Sequence, residues 1–126
     1  MPLARIDLVE GKSVEYRRTI SEVVYKAVVS EFKAPDGDRF QVITEHPSGW
    51  IVADPEYVGI TRTVDAIFIQ ISMNVGRTIE QKKGFYKKVA DELNERLGVR
   101  REDVFINLVE VTKENWSFGN GIAQYA

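Results

Sequence analysis

An internal repeat with a period of 65 residues constrains the fold of this chain more than any other feature. Gly11 aligns with Gly76 and Asp38 aligns with Asp103, and no gap is needed over about thirty positions of each half. Other matched pairs are Lys12 with Arg77, Ser13 with Thr78, Val24 with Val89, and Phe40 with Phe105. A duplication of this kind predicts two copies of one supersecondary unit that bury a shared core.

Each copy has the pattern of a half-buried strand, then of an amphipathic helix, then of a second strand. Apolar residues alternate with polar ones in the first strands, at Ala4, Ile6 and Leu8 and at Ile67, Ile69, Ile71 and Met73. Helical spacing follows, at Ile20, Val23, Val24, Ala27, Val28 and Phe32 and at Phe85, Val89, Leu93 and Leu97. The closing strands are predicted over 39–45 and 104–111.

The residues around the predicted helices are typical of helix caps. Ser13 and Thr78 stand where N-caps are expected, and Thr78 with Gln81 has the spacing of a capping box. Gly98 follows the second apolar stripe and is the expected C-cap. These signals fix where each helix is expected to begin and where the second one ends.

Each copy is therefore expected to form a right-handed βαβ unit with parallel strands. Two units side by side give an α/β (α+β) fold, a tandem βαβ repeat in which a four-stranded mixed sheet carries two helices on one face. The other sheet face combines apolar and polar residues, namely Leu3, Arg5 and Asp7 in one half and Phe68, Gln70 and Ser72 in the other. Either a partner subunit or the C-terminal tail is expected to cover it.

The 126 residues are expected to form a single domain. The repeats occupy about 2–45 and 66–111, an insertion at 46–64 separates them, and a tail at 112–126 follows. The insertion starts with turn residues, and a role in a turn is expected for His46.

Composition excludes several kinds of site. The absence of cysteine excludes thiol nucleophiles, disulfides and cysteine-based zinc sites, and the single histidine argues against a histidine-rich metal site. The net charge of −2 and the helical spacing of the lysines in 82–88 indicate a solvated face rather than a nucleic-acid surface. Neither a membrane-spanning run nor the core of a signal peptide is visible, so we expect a cytoplasmic protein without nucleic-acid or membrane partners.

A proline at position 2, a duplicated βαβ unit and an arginine after the turn glycine of the second half occur together in this chain. With these features the chain resembles the tautomerase superfamily, and within it the malonate semialdehyde decarboxylase-like subgroup. The resemblance extends over nearly the whole sequence. Its most specific stretches are PLARIDLVEG (2–11), GDRFQ (37–41), EQKKGFYKKV (80–89) and NWSFGNG (115–121).

The resemblance implies a tautomerase/MIF-like fold and a homotrimer with its sites near subunit interfaces, and no cofactor is expected. It implies that Pro2, after removal of Met1, is the catalytic group. Asp38 matches a catalytic aspartate of the decarboxylases, and Arg77 matches one of two substrate-binding arginines. The position of the other arginine holds Val75, which favours tautomerisation over decarboxylation. Trp116 and Phe118 match an apolar wall of the site.

Several of these residues also have ordinary structural interpretations. Pro2 is tolerated at the start of a strand, and Asp38 is also suited to local backbone bonds in a turn, as is its counterpart Asp103. Arg39 either pairs with Asp38 or reaches a substrate carboxylate, and a structural ion pair is the expected use. Aromatic residues such as those of the tail occur more often in cores than in sites.

A desolvated secondary amine near a cation is neutral near pH 7 and is a competent general base. Arg77 is suited to bind a substrate carboxylate through paired hydrogen bonds. We therefore expect a keto–enol tautomerase that acts on a small 2-oxo or enol carboxylic acid. The alternatives are a malonate semialdehyde decarboxylase or hydratase that uses the same proline, and a non-catalytic trimeric binding protein.

Overall fold

The computed structural model describes residues 2–126 and confirms the tandem βαβ architecture. Removal of Met1 concerns a residue outside this range. The elements are β1 (Leu3–Val9), α1 (Val14–Phe32), β2 (Gln41–His46), β3 (Glu56–Tyr57), β4 (Ile60–Thr61), β5 (Ile67–Asn74), α2 (Ile79–Leu97) and β6 (Val104–Val111). Two short 3₁₀ turns cover Arg101–Asp103 and Lys113–Asn115.

The four long strands form a mixed sheet in the order β2-β1-β5-β6. Within each copy the two strands are parallel, as Ile6 beside Ile43 and Ile69 beside Ile106 show. The two copies meet along β1 and β5, which are antiparallel and place Ile6 opposite Ile69. Parallel strands within the units and an antiparallel junction between them make the predicted mixed sheet.

The core lies between this sheet and the two helices. All the strand residues predicted to face inwards are buried, and Ile6, Ile71 and Met73 have no measurable exposure. The predicted helical stripes are also buried, with Leu97 packed against the core from its edge. Apolar periodicity therefore identified the buried face of every long element except β2 and β6, whose inward residues are half-buried.

The helix caps agree with the sequence signals. The Ser13 side chain accepts a hydrogen bond from the backbone of Tyr16, and Thr78 and Gln81 form the complete capping box. Gly98 adopts a left-handed conformation (φ 69°) and donates to Asn94 at 2.9 Å. Lys33 ends α1 in the same left-handed conformation (φ 59°). The sequence did not predict this C-cap, because no glycine stands at that position.

The open face of the sheet is not covered within one chain. Val42 and Phe105 on this face are 42% and 45% exposed, and the tail does not pack over them. Phe68 and Phe105 meet edge to face with ring centroids 5.0 Å apart. Of the two predicted covers, the C-terminal tail does not match the structure, because Val42 and Phe105 remain exposed and most residues of the tail are exposed as well.

Two local predictions need correction. β2 begins at Gln41 instead of 39, because the Arg39 amide donates to Gly37 at 2.9 Å and the chain is still turning there. His46 is the last residue of β2 instead of a turn residue, and its Nε2 lies 2.6 Å from the Asp7 carboxylate. Among residues 2–126, no helix is long and apolar enough to cross a membrane.

Candidate active site

Four chain segments meet at one end of the sheet, and the topology is the reason. Leu3 at the start of β1 pairs with Ser72 near the end of β5, because these strands are antiparallel. β2 runs parallel to β1, so the segment that enters β2 reaches the same end. β6 runs parallel to β5, so the tail leaves the sheet there as well. All six candidate residues are in these segments or directly after them.

Pro2 and Asp38 line the same pocket. Pro2 is buried, and Asp38 is only 9% exposed. The segment around Asp38 is held against β1 because the Ala4 amide donates to the Phe40 carbonyl at 2.9 Å. The Asp38 amide itself donates to the Pro35 carbonyl at 3.2 Å, so this aspartate also belongs to a turn. The two interpretations of Asp38, in a turn and in a pocket, are thus compatible.

The pKa of Asp38 is shifted by its surroundings. Burial raises the pKa above the ordinary aspartate value, and the positive charge of Arg77 acts in the opposite direction. A raised pKa keeps the carboxyl protonated to higher pH than in a solvated aspartate.

Tyr25 of α1 supports this turn, and sequence reasoning did not single it out. Its hydroxyl accepts a hydrogen bond from the Gly37 amide at 3.0 Å, one residue before Asp38. Its ring lies under the Arg39 guanidinium, 4.7 Å from the ring centroid. Arg39 also donates to the Ser21 hydroxyl at 2.9 Å. The contacts of Arg39 therefore attach it to α1, and it lines the pocket that holds Pro2.

Arg77 extends from the turn between β5 and α2. Gly76 has a φ of 124°, a conformation that L side chains rarely adopt, and it redirects the chain after the strand. The half-buried guanidinium donates to the Asn74 carbonyl at 3.1 Å and to the Phe32 carbonyl at 3.4 Å. It also lies 5.8 Å from the centroid of the Phe32 ring. These contacts hold the cation at the end of the sheet.

The aromatic residues of the tail form a small stack at the same end. The rings of Trp116 and Phe118 are stacked with centroids 5.6 Å apart, and Phe118 meets Tyr125 edge to face at 4.9 Å. The half-buried Trp116 donates its indole N–H to the Asn74 side chain at 2.7 Å. Trp116 and Phe118 therefore lie outside the core between sheet and helices.

The six candidates fall into two adjoining groups. Pro2, Asp38 and Arg39 line a pocket of about 10 Å³, which is the size of one water molecule. Arg77 and the Trp116–Phe118 stack adjoin the end of β5, where Asn74 contacts both. Asn74 and Tyr25 are the residues that sequence reasoning missed, because neither lies in a recognisable motif and their contacts span long sequence separations.

Among residues 2–126, no group of three or more histidine, cysteine, aspartate or glutamate side chains is arranged to hold a metal ion. The candidate residues at this end of the sheet carry a proline ring, a carboxyl group, guanidinium groups and aromatic rings. Such a set can bind a carboxylate and move a proton beside it.

Two family models match the chain. One model described as "Tautomerase enzyme" matches residues 38–119, and a second model with the same description matches residues 2–60. The chain belongs to the tautomerase family. The probable tautomerase YusQ of Bacillus subtilis (strain 168) is 39% identical over 124 residues, which cover 98% of each chain.

Solved tautomerase-fold structures place the chain near the malonate semialdehyde decarboxylases. FG41 malonate semialdehyde decarboxylase, inhibited by 3-bromopropiolate, superposes with a TM-score of 0.90 at 38% identity, covering 98% of this chain and 93% of that one. A second malonate semialdehyde decarboxylase, described with decarboxylase and hydratase activities, gives a TM-score of 0.90 at 29% identity, covering 98% and 95%. A fused 4-OT symmetric trimer shares the fold at 20% identity, with a TM-score of 0.79 and coverages of 98% and 97%.

Proposed function

We propose that this tautomerase interconverts the keto and enol forms of a small 2-oxo carboxylic acid, with Pro2 as the general base. The observation that carries the proposal is the burial of Pro2 in one pocket with Asp38. Burial favours the neutral form of an amine, and only the neutral form can accept a proton. The proposal requires removal of Met1, because an amide nitrogen is not basic.

The proposed reaction returns the enzyme to its starting state. The substrate carboxylate binds to the Arg77 guanidinium, which fixes the neighbouring enol over Pro2. The enol hydroxyl gives its proton to the Pro2 nitrogen, and the resulting ammonium delivers a proton to the adjacent carbon. The carbonyl forms as the carbon–carbon double bond is lost, and the amine is neutral again. Asp38 holds or assists the proton donor, and Trp116 with Phe118 excludes water.

A homotrimer is part of this proposal. The pocket around Pro2 holds about 10 Å³ within one chain, whereas even a three-carbon acid needs several times that volume. The open sheet face exposes apolar residues such as Val42 and Phe105, which a second copy would cover. Association of copies through this face would complete the walls of the site. The cytoplasmic location expected from the sequence stays a prediction.

The test is the ketonisation of phenylenolpyruvate, followed by ultraviolet absorbance on protein whose intact mass shows that Met1 is removed. Wild-type protein should catalyse the reaction, and Pro2→Ala should lose most of kcat with an unchanged circular dichroism spectrum. Pro47→Ala, in the insertion at the other end of β2, is the matched control and should keep full activity. Equal turnover by Pro2→Ala and wild type would show that Pro2 is not the general base.

A decarboxylase or hydratase is the second candidate, and the 38% identity to FG41 malonate semialdehyde decarboxylase favours it. Asp38 would then activate water or assist the loss of carbon dioxide beside Pro2. Release of carbon dioxide from malonate semialdehyde that exceeds phenylenolpyruvate turnover would reverse the order of the two candidates. Binding of these acids without turnover of either would point instead to the non-catalytic binding protein.

A further inference from the structure

We propose that Asn74 is a positioning residue, which fixes Trp116 beside the substrate-binding arginine. The inference rests on the proposed function, because it gives Asn74 a purpose within the same site. Asn74 contacts both Arg77 and Trp116, two of the residues that the sequence predicts for the site. Its backbone carbonyl accepts from Arg77 at 3.1 Å, and its side-chain Oδ1 accepts from the indole of Trp116 at 2.7 Å.

The backbone of Asn74 is held by the sheet. It is the last residue of β5 and is paired with Val111, the last residue of β6. Directly after it, the Val75 amide donates to the Val111 carbonyl at 3.1 Å. The residue is half-buried. Because the sheet holds the backbone of Asn74, its side-chain oxygen has a nearly fixed position. A residue that orients Trp116 needs such a position.

Trp116, in contrast, belongs to a segment with little regular structure. Four residues separate it from the end of β6, and three of them form the short 3₁₀ turn Lys113–Asn115. The flanking Asn115 and Ser117 are exposed. The indole N–H is a donor only, so one acceptor in the right place determines which way the ring faces. The bond to Asn74 and the stack on Phe118 are the contacts that orient this ring.

The two contacts of Asn74 can be separated by mutation. Arg77 binds the backbone carbonyl, which every residue at position 74 retains. Trp116 binds the side-chain oxygen, which a leucine of similar size lacks. Asn74→Leu therefore removes the attachment of the aromatic wall and leaves the attachment of the carboxylate-binding arginine.

The first experiment measures the NMR resonance of the Trp116 indole N–H and needs no substrate. In a Trp50→Phe background, Trp116 provides the single indole N–H resonance of the ¹⁵N-labelled protein. Asn74→Leu should shift this resonance towards its random-coil position and speed its exchange with water. Asn74→Asp retains the acceptor oxygen and should keep the resonance downfield. An unchanged resonance in Asn74→Leu would overturn the proposal.

The second experiment is a double-mutant cycle on phenylenolpyruvate ketonisation. Asn74→Leu should lower kcat/KM by about tenfold, the effect of one lost hydrogen bond in a site. In the Trp116→Phe background, which lacks the indole donor, the same substitution should change kcat/KM by less than about twofold. A merely structural role of Asn74 would give additive losses, and additivity would overturn the proposal.

The two experiments separate this inference from the proposed function. If wild-type protein does not turn over phenylenolpyruvate while the indole resonance moves as expected, the contact stands and the reaction is wrong. If the enzyme is active and neither the resonance nor the cycle responds, the reaction stands and the role of Asn74 is wrong. Should Asn74→Leu fail to fold, Asn74→Ala removes the same acceptor and takes its place in both experiments.

Discussion

Asp38 and Asp103 occupy equivalent positions in the two halves of the repeat, and only Asp38 lies in the candidate site. Asp103 is 2% exposed, and its carboxylate accepts two hydrogen bonds from Thr63, from the backbone amide at 2.8 Å and from the hydroxyl at 2.6 Å. Asp38 instead lines the pocket of Pro2, and its pKa is raised by burial. The duplicated aspartate thus connects the insertion to the second half in one copy and faces the proposed base in the other.

Exchanging each aspartate for asparagine should have opposite effects on stability. The native pKa of Asp38 lies above its unfolded value, so the native state binds this proton more tightly. This tighter proton binding by Asp38 stabilises the native state below the unfolded pKa of about 3.9. The stabilisation is lost as the pH rises through the native pKa. Asp38→Asn should therefore raise the Tm near neutral pH, with no gain in strong acid, and lower kcat by about a hundredfold.

Asp103→Asn is the matched control for this prediction. It weakens two hydrogen bonds to a buried carboxylate, so the free energy of unfolding should fall by about 1–3 kcal/mol. The kcat of the folded variant should stay near the wild-type value. Thermal unfolding from pH 3 to pH 8, with turnover measured on the same samples, checks both variants. A stabilised Asp103→Asn or a fully active Asp38→Asn would contradict the assignment.

Arg77 should be needed for binding the carboxylate of the substrate. Arg77→Gln removes a charged hydrogen-bond donor, so kcat/KM for phenylenolpyruvate should fall by about 10–100-fold, while its methyl ester should be affected little. Lys12, the counterpart of Arg77 in the first half, forms an ion pair with Asp65 at 3.0 Å. Lys12→Gln is therefore the control, and it should change kcat/KM by less than about twofold, since Lys12 follows the end of β1 and lies at the opposite end of the sheet from Pro2. Equal losses in both variants would rule out a specific role for Arg77.

Val75 should limit decarboxylation. Val75 is 56% exposed, so a longer side chain fits there without disturbing the core. Val75→Arg adds a second cation near Arg77, and carbon dioxide release from malonate semialdehyde should rise by about tenfold. Val64→Arg, at an 81% exposed position in the insertion, adds the same charge elsewhere and should have no effect. An unchanged rate in Val75→Arg would show that the missing arginine does not decide the reaction.

The open sheet face should hold the copies together. Phe105→Asp replaces one of the exposed apolar residues of this mixed face with a charge, so the assembly should dissociate to monomers and lose activity. Lys83→Glu changes the charge of an exposed position on α2, on the opposite side of the molecule, and should leave the assembly intact. Light scattering during size-exclusion chromatography measures both. A wild-type protein that runs as a monomer would contradict the trimer directly.

Much of the fold was predictable because its determinants are local. The period of 65 residues defined two equal units, and alternation and helical spacing identified the buried faces. The β3–β4 hairpin in the insertion was missed for a physical reason. Its turn places Val58 at a φ of 55°, which β-branched residues avoid, so the Val58-Gly59 pair carries no ordinary hairpin signal.

The candidate site was predictable in part. The six candidate residues are located at one end of the sheet, but their partners could not be read from the sequence. Asn74 lies 42 residues from Trp116, and Tyr25 lies 12 residues from Gly37. Such side-chain contacts depend on the strand register and on the path of the tail. Neither can be predicted from a local sequence pattern.

The most direct test of the account is a titration of the Pro2 nitrogen itself. In protein labelled with ¹⁵N-proline and shown by intact mass to lack Met1, Pro2 is the single proline whose nitrogen can titrate, because Pro35, Pro47 and Pro55 are amides. If Pro2 is the general base, one proline resonance titrates, and its pKa matches the pH at which kcat/KM for phenylenolpyruvate rises to half its maximum. No titrating proline resonance in the mature protein, or a pKa unrelated to the pH–rate profile, would contradict it.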